Sequence, residues 1–325
     1  MISIALCTYN GEQYIKEQLE SIIHQTLPPD EIVICDDCSK DHTEAEVKSV
    51  LRSWNGSWTF IVNDKNLGFR KNFEKAISLC KGDIIFLSDQ DDVWLPEKIK
   101  KIMGIFCENP DCIMVFHDAI IVDANLNVLF NSFWKILGFD FNKFFNGDYG
   151  VLVNHNVVQG SACAFRKSLF IKASPFPQSA VHDEWLALNA LIQQKSIIPV
   201  NEGLLLYRQS GRNVIGAGEF SFIDKLRKWG ISLHIALNMY YEDLNRKKDN
   251  FRILRERYGN DCFLYGCNLT ELIEFYELRI NCLKNHKINF LLFPFRYIKY
   301  YDGIIYAFKC YIKDFMVLIF GFKRS

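Results

Sequence analysis

Three carboxylates crowd into four positions of the run Ser88-Asp89-Gln90-Asp91-Asp92-Val93-Trp94-Leu95-Pro96. Like charges this close repel and raise one another's pKa unless a cation screens them. Oxygen donors of this kind suit Mg2+ or Mn2+, ions that bind through one or two carboxylates and leave positions for phosphate oxygens. The chemistry indicated is metal-assisted handling of a phosphorylated ligand. The competing account is a solvated acidic turn, because Pro at the first position of a helix with acidic residues before it is ordinary helix-start chemistry. Two further polar clusters have the same placement after an apolar run: Thr8-Tyr9-Asn10-Gly11 and Asp36-Asp37-Cys38-Ser39. A lone carboxylate, Asp183, opens a later helical pattern, where it can serve as a base or as an N-cap.

The elements that must position these residues alternate. Ile2–Leu6, Glu31–Cys35, Trp58–Val62, Ile84–Leu87 and Ile113–Phe116 read as strands. Between them, Glu12–His24, a segment from Thr43 toward Trp54, Phe69–Leu79 and Pro96–Cys107 read as helices, and Thr43-x-x-Glu46 reads as a capping box. Repeated β-α-β units imply an α/β fold with a mostly parallel sheet flanked by helices. Ligands of such sheets bind beyond the carboxyl ends of the strands, so the three polar clusters are expected on one edge. From Ala119 to Gly150 the periodicity weakens. Phe130, Phe133, Trp134, Phe139, Phe141, Phe144 and Phe145 there form either a helical hairpin packed on the sheet or an aromatic wall for an acceptor. Val151–Val158, Ser161–Phe165 and Leu204–Tyr207 read as strands, Asp183–Gln194 as a helix, Ser210–Gly218 as a Gly-rich loop, and everything after Phe220 as helix.

Composition narrows the classes. Lys+Arg and Asp+Glu both number 38, so the formal charge is zero, and a general nucleic-acid binder would be basic. The Met1–Cys7 segment lacks the charged and long apolar regions of a signal peptide. With eleven cysteines, this points to a reducing cytosol. Cys35 and Cys38 have C-x-x-C spacing, but without a helix start or a second pair they do not make a redox or zinc site.

Taken together, Thr8-Tyr9-Asn10-Gly11, Asp36-Asp37-Cys38-Ser39-Lys40-Asp41, Asn66-Leu67-Gly68, the Ser88–Pro96 run, Gln159-Gly160-Ser161, His182-Asp183-Glu184-Trp185-Leu186 and Tyr207-Arg208-Gln209 resemble the ordered motifs of family 2 glycosyltransferases with the Rossmann-like GT-A fold. They resemble in particular the bacterial branch that builds O-antigen and capsule polysaccharide, rhamnosyltransferases included. The resemblance covers roughly residues 1–220. It implies that Thr8 and Asp37 hold the nucleotide base and ribose, with Asp36 supporting that turn and Tyr9, Asn10 and Asn66 completing the donor side. It implies that Asp91 ligates Mg2+ or Mn2+, with Asp89 near the ribose or the metal. It implies that Asp183 is the general base of an inverting transfer, and that Gly160, Ser161 and Trp185 face the acceptor. Arg212, in the loop Ser210–Gly218, would meet the diphosphate, as Arg70 and Lys71 could. His182 reads as a local polar residue, and Asp92 as support behind the acidic loop. Relatives in this branch often read Tyr-Arg-x-His where this chain has Ser210.

The implied organisation is a catalytic domain over 1–219, with a donor half to about 118 and an acceptor half to about 219, and a helical C-terminal region over 220–325. Asp302–Phe320 carries Ile304, Ile305, Phe308, Ile312, Phe315 and Ile319 at helical spacing with Lys309 and Lys313 on another face. A basic amphipathic helix of this type lies in a membrane interface or packs on a partner. The expected partners are a nucleotide-diphosphate sugar such as a UDP- or dTDP-sugar, a polyprenyl-diphosphate-linked oligosaccharide and the inner face of the plasma membrane. A homo-oligomer is compatible with the sequence. A nucleotidyltransferase would use the same edge but needs a cationic phosphate-gripping first loop, and Thr8–Gly11 holds no Lys or Arg. A non-catalytic binding protein of the same fold is the third reading.

Overall fold

The structure, a computed structural model, describes residues 1–154, 156–209, 233–264, 267–284 and 314. The chain divides into two compact units, Met1–Gly147 with Asn156–Gly218, and Asp148–His155 with Glu219–Ser325.

The first unit is built on one mixed sheet. Its left part is formed by β1 (Ile2–Thr8), β2 (Glu31–Asp36), β3 (Ser57–Val62) and β4 (Ile84–Ser88), joined through α1 (Ile15–Ile23), α2 (Thr43–Leu51) and α3 (Phe69–Leu79). These strands run parallel in the order β3-β2-β1-β4. β1, β2 and β4 are buried along their whole length, which is why they read as continuous apolar runs. β3 is the edge and alternates exposed with half-buried residues. The register aligns the carboxyl ends: Thr8 pairs with Asp36, and Leu6 with Ser88. The three polar clusters therefore leave the sheet side by side.

Beyond β4 the sheet turns mixed. β5 (Val93–Trp94) and α4 (Lys98–Glu108) precede the long β6 (Cys112–Val122), which pairs antiparallel with β7 (Val128–Phe130) around an Asp123–Asn127 turn. β8 (Cys163–Arg166) lies antiparallel between β4 and β6, and β9 (Ser196–Arg208) runs parallel to β6 and antiparallel to β5. β9 is much longer than the expected Leu204–Tyr207. It survives Pro199 and Gly203 because its register against β6 slips between His117 and Asp118, absorbing the extra residues as a bulge.

The aromatic stretch resolves into two short helices, α5 (Phe133–Leu137) and α6 (Phe141–Phe145). Trp134, Phe139 and Phe144 close around Phe116 of β6 at centroid distances of 5.3–6.0 Å, and buried Asp118 accepts the Trp134 amide at 2.9 Å. Trp134, Phe144 and Phe116 are core, and Phe139 is half-buried against them. Phe145, by contrast, is 67 % exposed. α8 (Lys167–Ala173) and α9 (His182–Ile192) complete the unit.

In the second unit, α7 (Gly150–Asn154) replaces the strand expected over Val151–Val158. Lys247 donates to the Asn154 carbonyl at its end. α10 (Leu233–Tyr258) and α11 (Leu269–Lys284) supply the expected helical C-terminal part, but a small hairpin of β10 (Phe263–Leu264) and β11 (Cys267–Asn268) interrupts it. Buried Arg279 donates to both carboxylate oxygens of buried Asp314 at 2.6 and 3.1 Å. Asp302–Phe320, apart from Asp314, lies outside the described residues, as do Ser210–Gly218 and Arg212. No helix among the described residues is long and apolar enough to cross a membrane.

Candidate active site

On the donor side, the loops after β1, β2 and β3 are sewn together by their own polar side chains. Thr8 Oγ1 donates to Asp36 Oδ1 at 2.7 Å, and Asp36 also accepts the Ser39 amide and hydroxyl at 2.8 and 2.5 Å. Asn10, at φ 49°, accepts the Lys40 amide at 2.8 Å, while its own amide donates to Ser39 Oγ at 2.8 Å. Asp37 accepts the amides of Leu67 and Gly68 at 2.7 and 2.8 Å and the Asn63 amide group at 2.8 Å. Asn66 donates to the Asp37 carbonyl at 3.1 Å. Thr8, Asp36 and Asp37 are all buried, whereas Tyr9 is 50 % exposed on the rim. Three of the roughly four acceptor positions of the Asp37 carboxylate are thus used internally. The structure brings Thr8, Tyr9, Asn10, Asp36, Asp37 and Asn66 into one cluster, but it spends most of their hydrogen bonds on holding the loops.

The expected capping box does not form. His42 is the N-cap of α2, and Thr43 Oγ1 instead donates to Asp41 at 2.5 Å and accepts the Gly11 amide at 2.8 Å. Cys38, at φ 68°, donates to the Asn63 carbonyl. Burial pushes the Cys35 thiol up to about 11, which keeps it from acting as a nucleophile. Lys71 donates to Glu74 Oε2 and the Phe176 carbonyl, both at 2.6 Å, and Arg70 to the Gln178 carbonyl at 3.3 Å. With Leu67, Gly68, Phe69 and Gln178 they line a cavity of about 410 Å³.

The acidic loop is fixed from both sides. Gln90 accepts the Tyr9 amide at 2.8 Å and donates to the Tyr9 carbonyl at 3.1 Å. Gly11 leaves room for it: a Cβ there would meet Gln90 Oε1 at 2.3 Å. From the other side, Arg208 at the end of β9 is 2 % exposed and donates to the carbonyls of Asp91 and Ala124, both at 2.7 Å, and to Glu17 of α1. The Arg208 amide donates to Asp92 Oδ1 at 3.2 Å, and its guanidinium lies 4.6 Å over the Tyr14 ring. Asp92 is fully buried, and desolvation followed by the charges of Asp91 and Asp89 raises its pKa well above the usual carboxylate range.

Beneath the loop lies Lys98, the first residue of α4, with no exposed surface. Its ammonium sits 3.6 Å over the Trp94 ring and donates to the Ser161 carbonyl. Desolvation lowers its pKa well below normal, opposed by the field of Asp92. The sequence gives no hint of this, because Lys98 sits in a Lys-rich helix whose Lys100 and Lys101 are solvated.

The loop meets the acceptor side through Ser161. Its hydroxyl donates to Asp89 Oδ2 at 2.7 Å, and the Asp89 amide donates back at 3.1 Å. Next to it, a Cβ on Gly160 would lie 3.6 Å from Asp183 Oδ2. Asp183, in the first turn of α9, is 7 % exposed and accepts the Glu184 amide at 2.6 Å and the Asn156 side-chain amide at 2.7 Å. Desolvation outweighs those bonds and raises its pKa to about 6. Asp89 is raised as well, by desolvation first and by the charge of Asp183 among the rest. So Asp89, Gly160, Ser161 and Asp183 converge, with Asp91 on the same loop as Asp89. Trp185 does not join them. It has no exposed surface and donates its indole N–H to the Ala173 carbonyl at 2.8 Å, so it packs the core rather than facing an acceptor. One turn of α9 carries Asp183 to the Gly160-Ser161 turn and Trp185 into the core, since residues two apart on a helix point in different directions.

No group of three or more His, Cys, Asp or Glu side chains arranged to hold a metal ion occurs among the described residues. The donor set still fits Mg2+ or Mn2+. These ions accept one or two carboxylates and fill the remaining positions with water and substrate phosphate, and Asp89 and Asp91 stand on a loop whose buried Asp92 Oδ2 has no hydrogen-bond partner.

This arrangement defines a class. A sheet with parallel strands feeding a shared polar edge, an acidic loop and a buried carboxylate opposite is the architecture of GT-A glycosyltransferases. Solved structures share the fold: TarS from S. aureus with UDP-GlcNAc aligns over 98 % of this chain and 90 % of its own at TM-score 0.56 and 16 % identity. The mannosyltransferase PcManGT from Pyrobaculum calidifontis with GDP-Man and Mn2+ aligns over 90 % and 72 % at TM-score 0.52 and 16 % identity. At the level of sequence, the family described as Glycosyl transferase family 2 matches residues 3–173. A dTDP-rhamnosyl transferase, RfbG of Shigella flexneri, is 30 % identical over 70 % of this chain and 78 % of its own length. The chain belongs to glycosyltransferase family 2. It is a glycosyltransferase of the GT-A type.

Proposed function

We propose that the enzyme performs an inverting, metal-dependent transfer from a nucleotide-diphosphate sugar to a hydroxyl of a lipid-linked oligosaccharide, within the synthesis of a bacterial surface polysaccharide such as O-antigen or capsule. The observation that carries this reading is Asp183: a buried carboxylate, raised to about 6, adjoining the Gly160-Ser161 turn to which Asp89 is bonded. A base in this state is ionised at neutral pH and stronger than an exposed aspartate. It takes the proton of the acceptor hydroxyl as that oxygen attacks the anomeric carbon. The bond to the donor phosphate breaks from the opposite face, and the nucleoside diphosphate leaves with the electron pair, so the configuration inverts. Asp91, with Asp89 beside it, would hold Mg2+ or Mn2+, which when bound would neutralise charge developing on the departing diphosphate. In this reading Thr8 and Asp37 would meet the base and ribose, with Tyr9 beside them, and Asn10, Asp36 and Asn66 would hold the loops that carry them.

Residues 1–219 form the catalytic part in this reading, and 220–325 attach it at the cytoplasmic face of the membrane, where a polyprenyl-linked acceptor would be found. The dTDP-rhamnosyl transferase among its relatives supports a deoxyhexose or hexose donor. Thermal-shift titration tests the donor side. UDP, GDP or dTDP with Mn2+ should raise the melting temperature, since a ligand of the native state alone must stabilise it, and Asp91→Ala should abolish the Mn2+-dependent part. Absence of a shift with every one of the three diphosphates would remove the proposal.

A further inference from the structure

His182 stands beside the base, and its imidazole has no polar partner. The residue is 5 % exposed, and neither Nδ1 nor Nε2 makes a hydrogen bond. The ring is held instead by aromatic contacts: it stacks on Phe73 at 4.2 Å and 19°, and Phe69 meets it edge-on at 6.1 Å. These contacts fix the ring plane and leave both nitrogens unsatisfied on its edge. That overturns its reading as a local polar residue. A buried polar atom without a partner lowers stability unless a ligand supplies one.

The position of those nitrogens is informative. A Cβ on Gly160 would lie 2.7 Å from His182 Nε2 and 3.6 Å from Asp183 Oδ2. Imidazole and base therefore approach the same point above residue 160. The next residue, Ser161, is bonded to Asp89, whose charge also reaches the imidazole. The imidazole thus shares its surroundings with the base and with the Ser161–Asp89 pair. Glycine at 160 lets the ring nitrogen approach the backbone this closely, because any side chain there would press on it.

The ligand class follows from charge. Desolvation lowers the His182 pKa to about 4, so at neutral pH the ring is uncharged and offers one N–H and one acceptor nitrogen. An uncharged ring offers a phosphate no ion pair, and charges of both signs, Asp89 and Arg70, act on it. A sugar hydroxyl is neutral, both donates and accepts, and suits either tautomer.

We propose that His182 reads the transferred sugar, exchanging a hydrogen bond between its unpaired ring edge and one ring hydroxyl of the donor. This rests on the glycosyl-transfer reading above. It makes His182 a determinant of which sugar is accepted, separate from the groups that hold the nucleotide.

Two variants test it. His182→Phe keeps the stack on Phe73 and removes both nitrogens. His182→Gln removes the stack and restores a donor and an acceptor. Each is titrated calorimetrically in Mn2+ with the nucleoside diphosphate alone and with the nucleotide sugar that the parent binds among UDP-GlcNAc, GDP-mannose and dTDP-rhamnose. The Phe variant should fold with a melting temperature no lower than the parent, bind the diphosphate as the parent does, and lose at least about tenfold in affinity for the nucleotide sugar, the effect of one hydrogen bond. Its donor KM should rise while its acceptor KM holds, and the Gln variant should recover part of the loss. A packing role predicts the reverse order, Phe near parental and Gln worse, and that result overturns the proposal. So does a rise confined to the acceptor KM, which would assign the hydroxyl to the acceptor. If the parent binds none of the diphosphates, the transfer reading itself fails. If the parent binds and the Phe variant matches it on both ligands, the His182 assignment alone fails.

Discussion

The two sides of the polar edge are built on opposite principles. On the donor side, around Thr8, Asn10, Asp36 and Asp37, buried polar groups find partners within a few residues or across one strand. At the centre, Asp92, Lys98, His182 and Asp183 are buried and Asp89 is half-buried, all with shifted pKa values, and Asp92 Oδ2 and both His182 nitrogens lack partners. The first arrangement yields a rigid frame. The second carries unfavourable electrostatics that a substrate can relieve. The contrast shows which residues shape the edge and which are kept ready to react.

The sharpest way to break the comparison is Asp183→Asn. Transfer should fall by at least ~10²-fold with nucleotide binding unchanged, and assay of product formation beside calorimetry separates the two. The same variant should be more heat-stable at pH 7. The folded pKa of Asp183 lies above the ~4 of an exposed aspartate, so its stabilising contribution is full below that value and is lost as pH rises through about 6. A neutral Asn escapes the loss. A parental turnover rate, or a fall in melting temperature at pH 7, would place Asp183 with the frame instead.

Asp36→Ala tests the other side. It strands Thr8 Oγ1 and the Ser39 donors, and it should cost about 2–4 kcal/mol of stability, read as a lower denaturation midpoint. If stability is unchanged, the frame is not held by these bonds. The smallest effect sharpens the comparison through pH. With the base at about 6, kcat/KM should be flat above neutrality and fall about tenfold by pH 5, and the residual activity of Asp183→Asn should lack this limb. An acid limb near 4 in the parent would mean the carboxylate is not desolvated.

The frame was legible in the sequence, and the centre only partly so. Fully buried parallel strands leave continuous apolar runs ending in polar clusters, so Thr8, Asp36 and Asp89 could be assigned to one edge from strand direction alone. The run Val151-Leu152-Val153 was misleading because β-branched residues also fit a short buried helix once Gly150 begins it. β9 was shortened because Pro199 and Gly203 resemble breaks, and only pairing with β6 shows that a bulge absorbs them. Lys98 and the bare nitrogens of His182 are invisible to any local pattern. Their state depends on burial by segments far away in the chain.

Arg208 carries a last consequence. The family match ends at residue 173, yet the guanidinium that ties Glu17 to the acidic loop enters only with β9. A fusion that kept the matched segment and borrowed its remainder from an unrelated protein would inherit the parallel strands and lose both the proton acceptor and the clasp. The transplantable piece in this architecture is therefore larger than the shared sequence, and fusion to an unrelated remainder should succeed only at junctions downstream of that arginine.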